Sequence, residues 1–353
     1  MQSGKNFMDR KIVFFLIILI NQFYFSQSKV LSKIDSLETE LEVESFVRSC
    51  SKSEKDHLSE FELKTIQSFD ENYHSVTELL RNTVKKLGIT KSFYKGDFDH
   101  NGKTDLLIIG DDKTCGGYDS ETKKNTSCSS VVIIILDIDG SYEIKNLGPN
   151  FHTFVIPLVI QINSQDFLKV FYDVAVEDIN AKELIFNHHI ESRIVEYKFG
   201  NIIEYNPQPG KLSVDKIVYE TEMCYGYCPI FKLEINKNGT STFYADSYNF
   251  IDFKNAEFVK EISDPDRKTF EVVVKQNNFR ELENILNYID FQNLLDNYAV
   301  HWTDDQSSKL KIFYDNGKVK TIEDYGLSGT YGLKLLYKKL FDLRFNQDWK
   351  LIK

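Results

Sequence analysis

The stretch Asp97-Phe98-Asp99-His100-Asn101-Gly102-Lys103-Thr104-Asp105 runs directly into Leu106-Leu107-Ile108-Ile109-Gly110. Its first five residues place side-chain oxygens at alternating positions. A glycine follows, and a further acid stands three residues beyond it. Ligands at positions 1, 3 and 5 of a tight loop converge on one point, as a hard cation held by oxygens at about 2.3–2.6 Å requires. The spacing predicts that Asp97, Asp99, Asn101 and Asp105 offer side chains, Lys103 its backbone carbonyl, and Gly102 the sharp turn. The apolar run after the loop is short and β-branched, so it reads as a buried strand rather than a helix. An EF-hand is excluded, because its twelfth position needs a bidentate glutamate and here that position is Ile108. Calcium in a structural role is the cofactor this pattern implies. Three clustered carboxylates would otherwise repel one another. The competing reading is a loop whose Asp and Asn side chains only close local Asx turns.

Working outward, Val131–Leu136 is a second buried strand, and Asp137-Ile138-Asp139-Gly140 turns the chain into Tyr142–Ile144. Further strands are expected at Phe154–Ile162, Phe167–Tyr172 and Arg193–Phe199. Upstream, Val30, Leu31, Ile34, Leu37 and Leu41 recur at helical spacing and predict a helix over 29–47. Val76, Leu79, Leu80, Val84 and Leu87 predict another, closed by Gly88 as C-cap.

Asn206-Pro207-Gln208-Pro209-Gly210 carries two of the six prolines and reads as a linker. Beyond it, Lys216–Glu222 and the alternating Phe231–Ile235 are strands, and Asn238-Gly239 is a hairpin turn wanting positive φ at both residues. Asn278 and Glu281 suit a capping box for a helix carrying Phe279, Leu282, Ile285 and Leu286. A second hairpin turns at Asn316-Gly317 between Leu310–Tyr314 and Lys318–Ile322. Leu333, Leu336, Leu340 and Leu343 mark a closing helix. The expected fold class is α+β, with antiparallel sheet and packed helices in each of two domains, 29–205 and 211–353.

The 353-residue length accommodates two domains, and 27 Phe with 19 Tyr suit sheet surfaces. A net charge of −10 argues against nucleic acid or an anionic membrane as partner. Lys5, Arg10 and Lys11 precede the apolar run Ile12–Ile20, which is shorter than the roughly 20 residues of a bilayer span. With Ser26 and Ser28 after it, this is the pattern of a secretory signal peptide over residues 1–28. The expected location is therefore the periplasm, the cell surface or the extracellular space, with no transmembrane span in the mature chain.

Five cysteines in an exported chain call for an account of pairing. Cys115 and Cys128 flank a polar insertion, and a bridge there would contribute roughly 3 kcal/mol in the chain-entropy model. Cys50 is left over, as a half-buried thiol on a helix. In Cys224-Tyr225-Gly226-Tyr227-Cys228-Pro229, an extended strand would hold the two cysteines about 13 Å apart, so a bridge demands a turn at Gly226. A structural disulfide is the first reading here and redox or metal use the second.

Two resemblances follow from these residues. The Asp97–Asp105 loop with its following strand resembles the calcium loops of FG-GAP and VCBS repeats, in a single copy that implies no propeller. The Cys-x-Gly-x-Cys-Pro stretch is joined by Tyr314, Gly317, Lys320, Ile322, Tyr325 and Gly326. Together they resemble a domain of unknown function in exported bacterial proteins, over roughly residues 212–345. That resemblance implies fold and location, not chemistry.

Seven histidines are scattered, and His188 and His189 point to opposite faces if they lie on a strand. No metalloprotease, nucleophile-elbow, Walker or dinucleotide motif occurs. One reading is an exported, non-catalytic structural or binding protein with a calcium-stabilised N-terminal domain, its partner an unknown protein or envelope ligand. The alternative is an envelope enzyme, a hydrolase or thiol oxidoreductase, using Asp304 in His301-Trp302-Thr303-Asp304-Asp305 or the Cys224/Cys228 pair.

Overall fold

The computed structural model describes residues 32–51, 58–69, 76–113, 118–119, 124–125, 130–148, 153–177, 186–249 and 267–353. The signal-peptide segment, Cys115, Cys128, His57, His74 and His152 lie outside the described residues.

Leu106–Ile109 sits where its composition demands, inside a sheet covered on both faces. The sheet comprises β1 (Glu62–Leu63), β2 (Phe93–Gly96), β3 (Asp105–Asp111), β6 (Ser130–Ile138) and β7 (Ser141–Asn146). A two-stranded ribbon, β4 (Tyr118–Asp119) and β5 (Lys124–Asn125), falls between β3 and β6. All pairings are antiparallel. β6 runs along one edge of β3, with Leu106 opposite Ile135, while β1 and β2 share the other edge. Alternate residues of β3 feed two cores. Leu106 and Ile108 pack with Val43, Phe46 and Val47 of helix α1 (Glu40–Ser49). Leu107 and Ile109 pack with Leu80 and Val84 of helix α2 (Glu78–Leu87). That double cover is why the strand shows no polar alternation, and each fully buried Leu or Ile adds about 1.5–3 kcal/mol.

The expected helix over 29–47 is corrected at its visible end. Lys33–Ser36 forms one 3-10 turn, Leu37 is extended, and α1 starts afresh behind Thr39. Thr39 accepts the Glu42 N–H while Glu42 accepts the Thr39 N–H, so a capping box overrides the apolar spacing. Leu41 is consequently 73% exposed. The α2 terminus agrees with its sequence: Gly88 takes φ +66° as C-cap.

A second sheet is a meander of β8 (Val155–Ile162), β9 (Gln165–Glu177), β10 (Phe186–Lys198) and β11 (Asn201–Glu204). Val155, Leu168, Val170 and Val195 bury its inner face in the core shared with α2 and β3. β9 and β10 extend well beyond the strands expected there, over half-buried residues such as Val174 and Ile190 and exposed ones such as His188 and His189.

The third sheet has eight strands in the order β16-β18-β17-β12-β13-β14-β15-β19. They are β12 (Val214–Thr221), β13 (Ile230–Asn236), β14 (Thr240–Ser247), β15 (Lys268–Val273), β16 (Asn297–Ala299), β17 (Ser307–Tyr314), β18 (Lys318–Tyr325) and β19 (Lys350–Leu351). Only β16 pairs in parallel, against β18. Helices α3 (Gln276–Tyr288) and α4 (Tyr331–Asn346) join a core with Tyr219, Leu233, Phe243 and Ile312. Sheet-rich α+β is therefore the observed class, with four α-helices among the described residues. None of those helices is long and apolar enough to cross a membrane.

Three details of this region differ from expectation. α3 begins at Gln276, so Asn278 and Glu281 do not form its capping box. Both side chains reach α4 instead: Asn278 Nδ2 donates to Asn346 Oδ1 at 3.3 Å, and Glu281 pairs with Lys339 at 2.6 Å. Neither Asn238 nor Gly239 has positive φ, whereas Asn316 (+61°) and Gly317 (+110°) do. The first hairpin turns over the three residues between β13 and β14, and Asn236 Nδ2 closes it onto the Thr240 carbonyl at 2.7 Å. Finally, the expected order of two hairpins and two helices omits β15, β16 and β19.

Candidate functional site

The acidic loop joins β2 to β3, and its residues are positioned by backbone they did not announce. Asp105 opens β3 and is completely buried. One of its oxygens accepts the N–H groups of Phe98 (2.7 Å) and Asp99 (3.3 Å), and the other accepts Asp137 N–H at 2.9 Å. Asp97 accepts the Gly102 N–H at 3.0 Å, and Gly102 takes φ +86°, the conformation the turn requires. The loop is braced from outside by Asp166 at the start of β9. Asp166 accepts Asp97 N–H at 3.0 Å, and its carbonyl lies 2.7 Å from His100 Nε2.

These constraints gather Asp97, Asp99 and Asp105, each offering one oxygen, within 4.8 Å of one another. Asp97 Oδ1 is buried and accepts no hydrogen bond. Burial pushes the Asp105 carboxyl up to about 7, and the Asp99 charge adds to the effect. Burial likewise raises Asp99, with the Asp97 charge a smaller contributor. Of the five expected ligands, three carboxylates are thus together. Asn101 is adjacent, but its Nδ2 faces Asp99 (2.9 Å) and the Asp137 carbonyl (2.8 Å), while its Oδ1 accepts Lys103 N–H. The Lys103 ammonium turns away to Asp139 (3.0 Å) and Asp137 (3.7 Å). The donor set contains oxygens alone, which is what a hard divalent cation selects. Sequence reading missed Asp137 and Asp166. The turn Asp137-Ile138-Asp139-Gly140 was a signal for the first, whereas nothing near Asp166 suggested contact with residue 97.

A cleft of about 790 Å³ opens elsewhere, between the second and third sheets. β9 and β10 supply Tyr172, Asp173 and Arg193. The chain from Asp290 to Trp302 supplies the opposite side, and the Asp324–Tyr331 loop closes one end. Asp324 is buried and accepts Ser328 N–H (3.3 Å) and Gly329 N–H (2.9 Å); burial pushes its carboxyl up. Asn206–Gly210 borders this region and is tied to the end of α3. Asn206 Nδ2 donates to the Tyr288 carbonyl at 2.7 Å, and Gly210 N–H to the Asn287 carbonyl at 3.0 Å.

The Cys224–Cys228 disulfide is formed, with Cα atoms 5.8 Å apart. Gly226 makes the turn at φ +145°, donating its N–H to the Cys224 carbonyl at 3.0 Å. Gln306 Nε2 ties both shoulders of this loop, donating to the carbonyls of Glu222 (2.8 Å) and Pro229 (2.7 Å). Tyr225 N–H donates to the Asp304 carbonyl at 3.1 Å, so the two stretches considered for catalysis are neighbours through backbone. Trp302 Nε1 hydrogen-bonds Asp305. His188 pairs with Asp173 (3.0 Å) and His189 approaches Glu191 (3.5 Å), so neither imidazole joins the other. Cys50 is buried at the C-cap of α1.

Residues 215–344 match a domain of unknown function, DUF6438. The match runs from β12 into α4 and includes the disulfide loop and the second hairpin. No curated protein and no solved structure matches the chain.

Proposed function

We propose that the chain is an exported, non-catalytic protein with a structural or binding role, and that calcium stabilises its N-terminal half. In this reading residues 1–28 are a signal peptide. Residues 29–205 and 211–353 are two domains joined at 206–210. The mature chain works in the periplasm, at the cell surface or outside the cell. Calcium would be held by Asp97, Asp99, Asn101 and Asp105, with the Lys103 carbonyl, in a loop of the FG-GAP/VCBS type. The observation that carries the proposal is the approach of three carboxylates to within 4.8 Å, with Asp97 Oδ1 buried and accepting no hydrogen bond. Such an arrangement is costly on its own and favourable around a divalent cation, which supplies the missing partner and offsets the repulsion. Asp137, Asp166 and the two buried faces of β3 fix the loop to the core, so the ion acts on stability rather than on a reaction.

The test is differential scanning calorimetry of the mature chain with and without calcium. Calcium should raise the melting temperature, and a variant carrying both Asp97→Ala and Asp99→Ala should show no rise. An unchanged melting temperature of the wild type across millimolar calcium would sink the assignment.

A further inference from the structure

The cleft between the second and third sheets has a chemistry distinct from the acidic loop and shares no residue with it. Four carboxylates line it, against one arginine and His301: Glu204 and Asp324 accept backbone N–H groups, Asp173 pairs with His188, and Asp290 is held only by neighbouring side-chain amides. That arginine is already engaged. Arg193 Nη2 lies 3.0 Å from the Glu191 carboxylate, and Nε donates to Tyr172 Oη at 3.3 Å. An entering anion would meet net negative charge and a guanidinium that already has a counter-ion. Aromatic residues make up much of the remaining lining, with Tyr172 on one side, Tyr298 and Trp302 on the other and Tyr325 at the end. Aromatic faces carry the negative end of a quadrupole and attract desolvated cations. The volume lies within the range of small-ligand sites.

We propose that this cleft binds organic cations: a guanidinium or ammonium group, carried by a free amine or by a basic peptide side chain. Aromatic residues and carboxylates converge there, and the one guanidinium among the described lining residues already has a counter-ion. Burial raises the carboxyls of Glu204 and Asp324, so an arriving positive charge lowers the cost of ionising them. A neutral sugar would use the same ring faces without the carboxylates, and is the contrast to be tested.

The experiment is isothermal titration of the full chain in millimolar calcium, which keeps the acidic loop's state constant whichever way the calcium question falls. Agmatine and choline are the cationic probes, glutamate the anionic one and maltotriose the neutral one. Agmatine or choline should bind, and sodium chloride should weaken that binding. Asp290→Asn, tolerated at a φ of +52° that asparagine also adopts, and Trp302→Leu should each weaken it by about fivefold. Glutamate and maltotriose should give no binding. The proposal is overturned if neither cation binds, if maltotriose or glutamate binds in their place, or if both variants bind the cations as the wild type does. The comparison among probes on the wild type decides the question even if a variant fails to fold.

Discussion

Glu204, at the end of β11, caps a helix that begins 127 residues later. Its Oε1 accepts the N–H of Tyr331 at 2.8 Å and its Oε2 that of Gly332 at 2.9 Å. Thr330 Oγ1 takes the next N–H, from Leu333 at 3.0 Å, and Lys334 N–H already bonds the Thr330 carbonyl. The first three N–H groups of the helix, which have no intrahelical partners, are therefore satisfied, and the fourth makes the first regular helical bond. When ionised, the carboxylate also meets the positive end of the α4 dipole. From the other side Tyr331 Oη donates to the Leu147 carbonyl at 2.6 Å. The start of α4, which lies inside the matched region, thus depends on residues outside it.

Replacing Glu204 by alanine should cost about 1–2 kcal/mol in urea denaturation, the typical loss of a helix cap. Its pH dependence has a definite sign. Burial is the main influence on Glu204 and pushes its carboxyl above the ordinary 4.5, against the pull of its backbone hydrogen bonds and of Arg193. Tyr172, Tyr298 and Tyr331 also face it. The folded state therefore holds this proton more tightly than the unfolded chain. The associated stability is present below pH 4.5 and is lost as pH rises through the folded value. Glu204→Gln cannot titrate, so its stability should decline less than that of the wild type between pH 5 and 8. Parallel curves would refute the assignment.

The acidic loop separates two roles in calcium-free buffer. Asp97→Ala removes one hydrogen bond, from Gly102 N–H, together with some carboxylate repulsion, and should cost less than about 1 kcal/mol. Asp105→Asn instead presents an N–H₂ to a site that receives three backbone donors, and should cost about 2–4 kcal/mol. Chemical denaturation of both variants in chelator checks this order. Equal losses would show that Asp105 does not organise the loop on its own account.

Gly110 is fixed by contact rather than by conformation. A Cβ there would collide with the Glu62 carbonyl oxygen and the Phe61 ring, where β1 pairs against the end of β3. The Glu62 carbonyl is backbone held by that pairing, so the strands must part. Gly110→Ala should cost about 1–3 kcal/mol, the range for overpacking a core. Loss of hydrogen-exchange protection in residues 62–64 should accompany it. A variant as stable as the wild type would mean that β1 is not held to β3.

How much of this was legible follows from the range of each interaction. Leu106–Ile109 and Val131–Leu136 declared themselves because burial on two faces leaves no polar residue in the run. Gly88, Gly226 and Asn316-Gly317 were readable because their conformations are local. Asp166 bracing Asp97, and Glu204 capping Tyr331, join residues 69 and 127 positions apart, and no local pattern encodes them. Tertiary competition also reversed local signals: Asn278 and Glu281 fit a capping box in sequence, yet α4 claims both side chains. The cleft was hardest to foresee. Its aromatic and acidic lining comes from segments that are individually unremarkable, brought together only by the docking of the second sheet on the third.

Two tyrosines on α4 give a closing contrast. Tyr331 Oη has a partner, the Leu147 carbonyl, whereas the buried hydroxyls of Tyr337, Tyr219 and Ser308 accept or donate no well-formed hydrogen bond. Ser308 stands directly across from Asp324 in the β17–β18 register, and the Tyr337 ring stacks on Tyr219 with centroids 5.4 Å apart. The sheet register and the stacking hold these groups close together, with Tyr337 facing Asp324 and Ser308, but short of well-formed hydrogen-bond geometry. A buried hydroxyl without a well-formed hydrogen bond does little to offset its lost hydration, so removing it should release most of that penalty. Tyr337→Phe should accordingly lie within about 0.5 kcal/mol of the wild type or be more stable. Tyr331→Phe, which leaves a buried carbonyl without its donor, should lose about 1–3 kcal/mol. Both are read from urea midpoints at unchanged m-value, which keeps the comparison on stability alone. If Tyr337→Phe proved the costlier of the two, its hydroxyl would have a partner in solution, and the neighbouring Asp324 would be the group to examine.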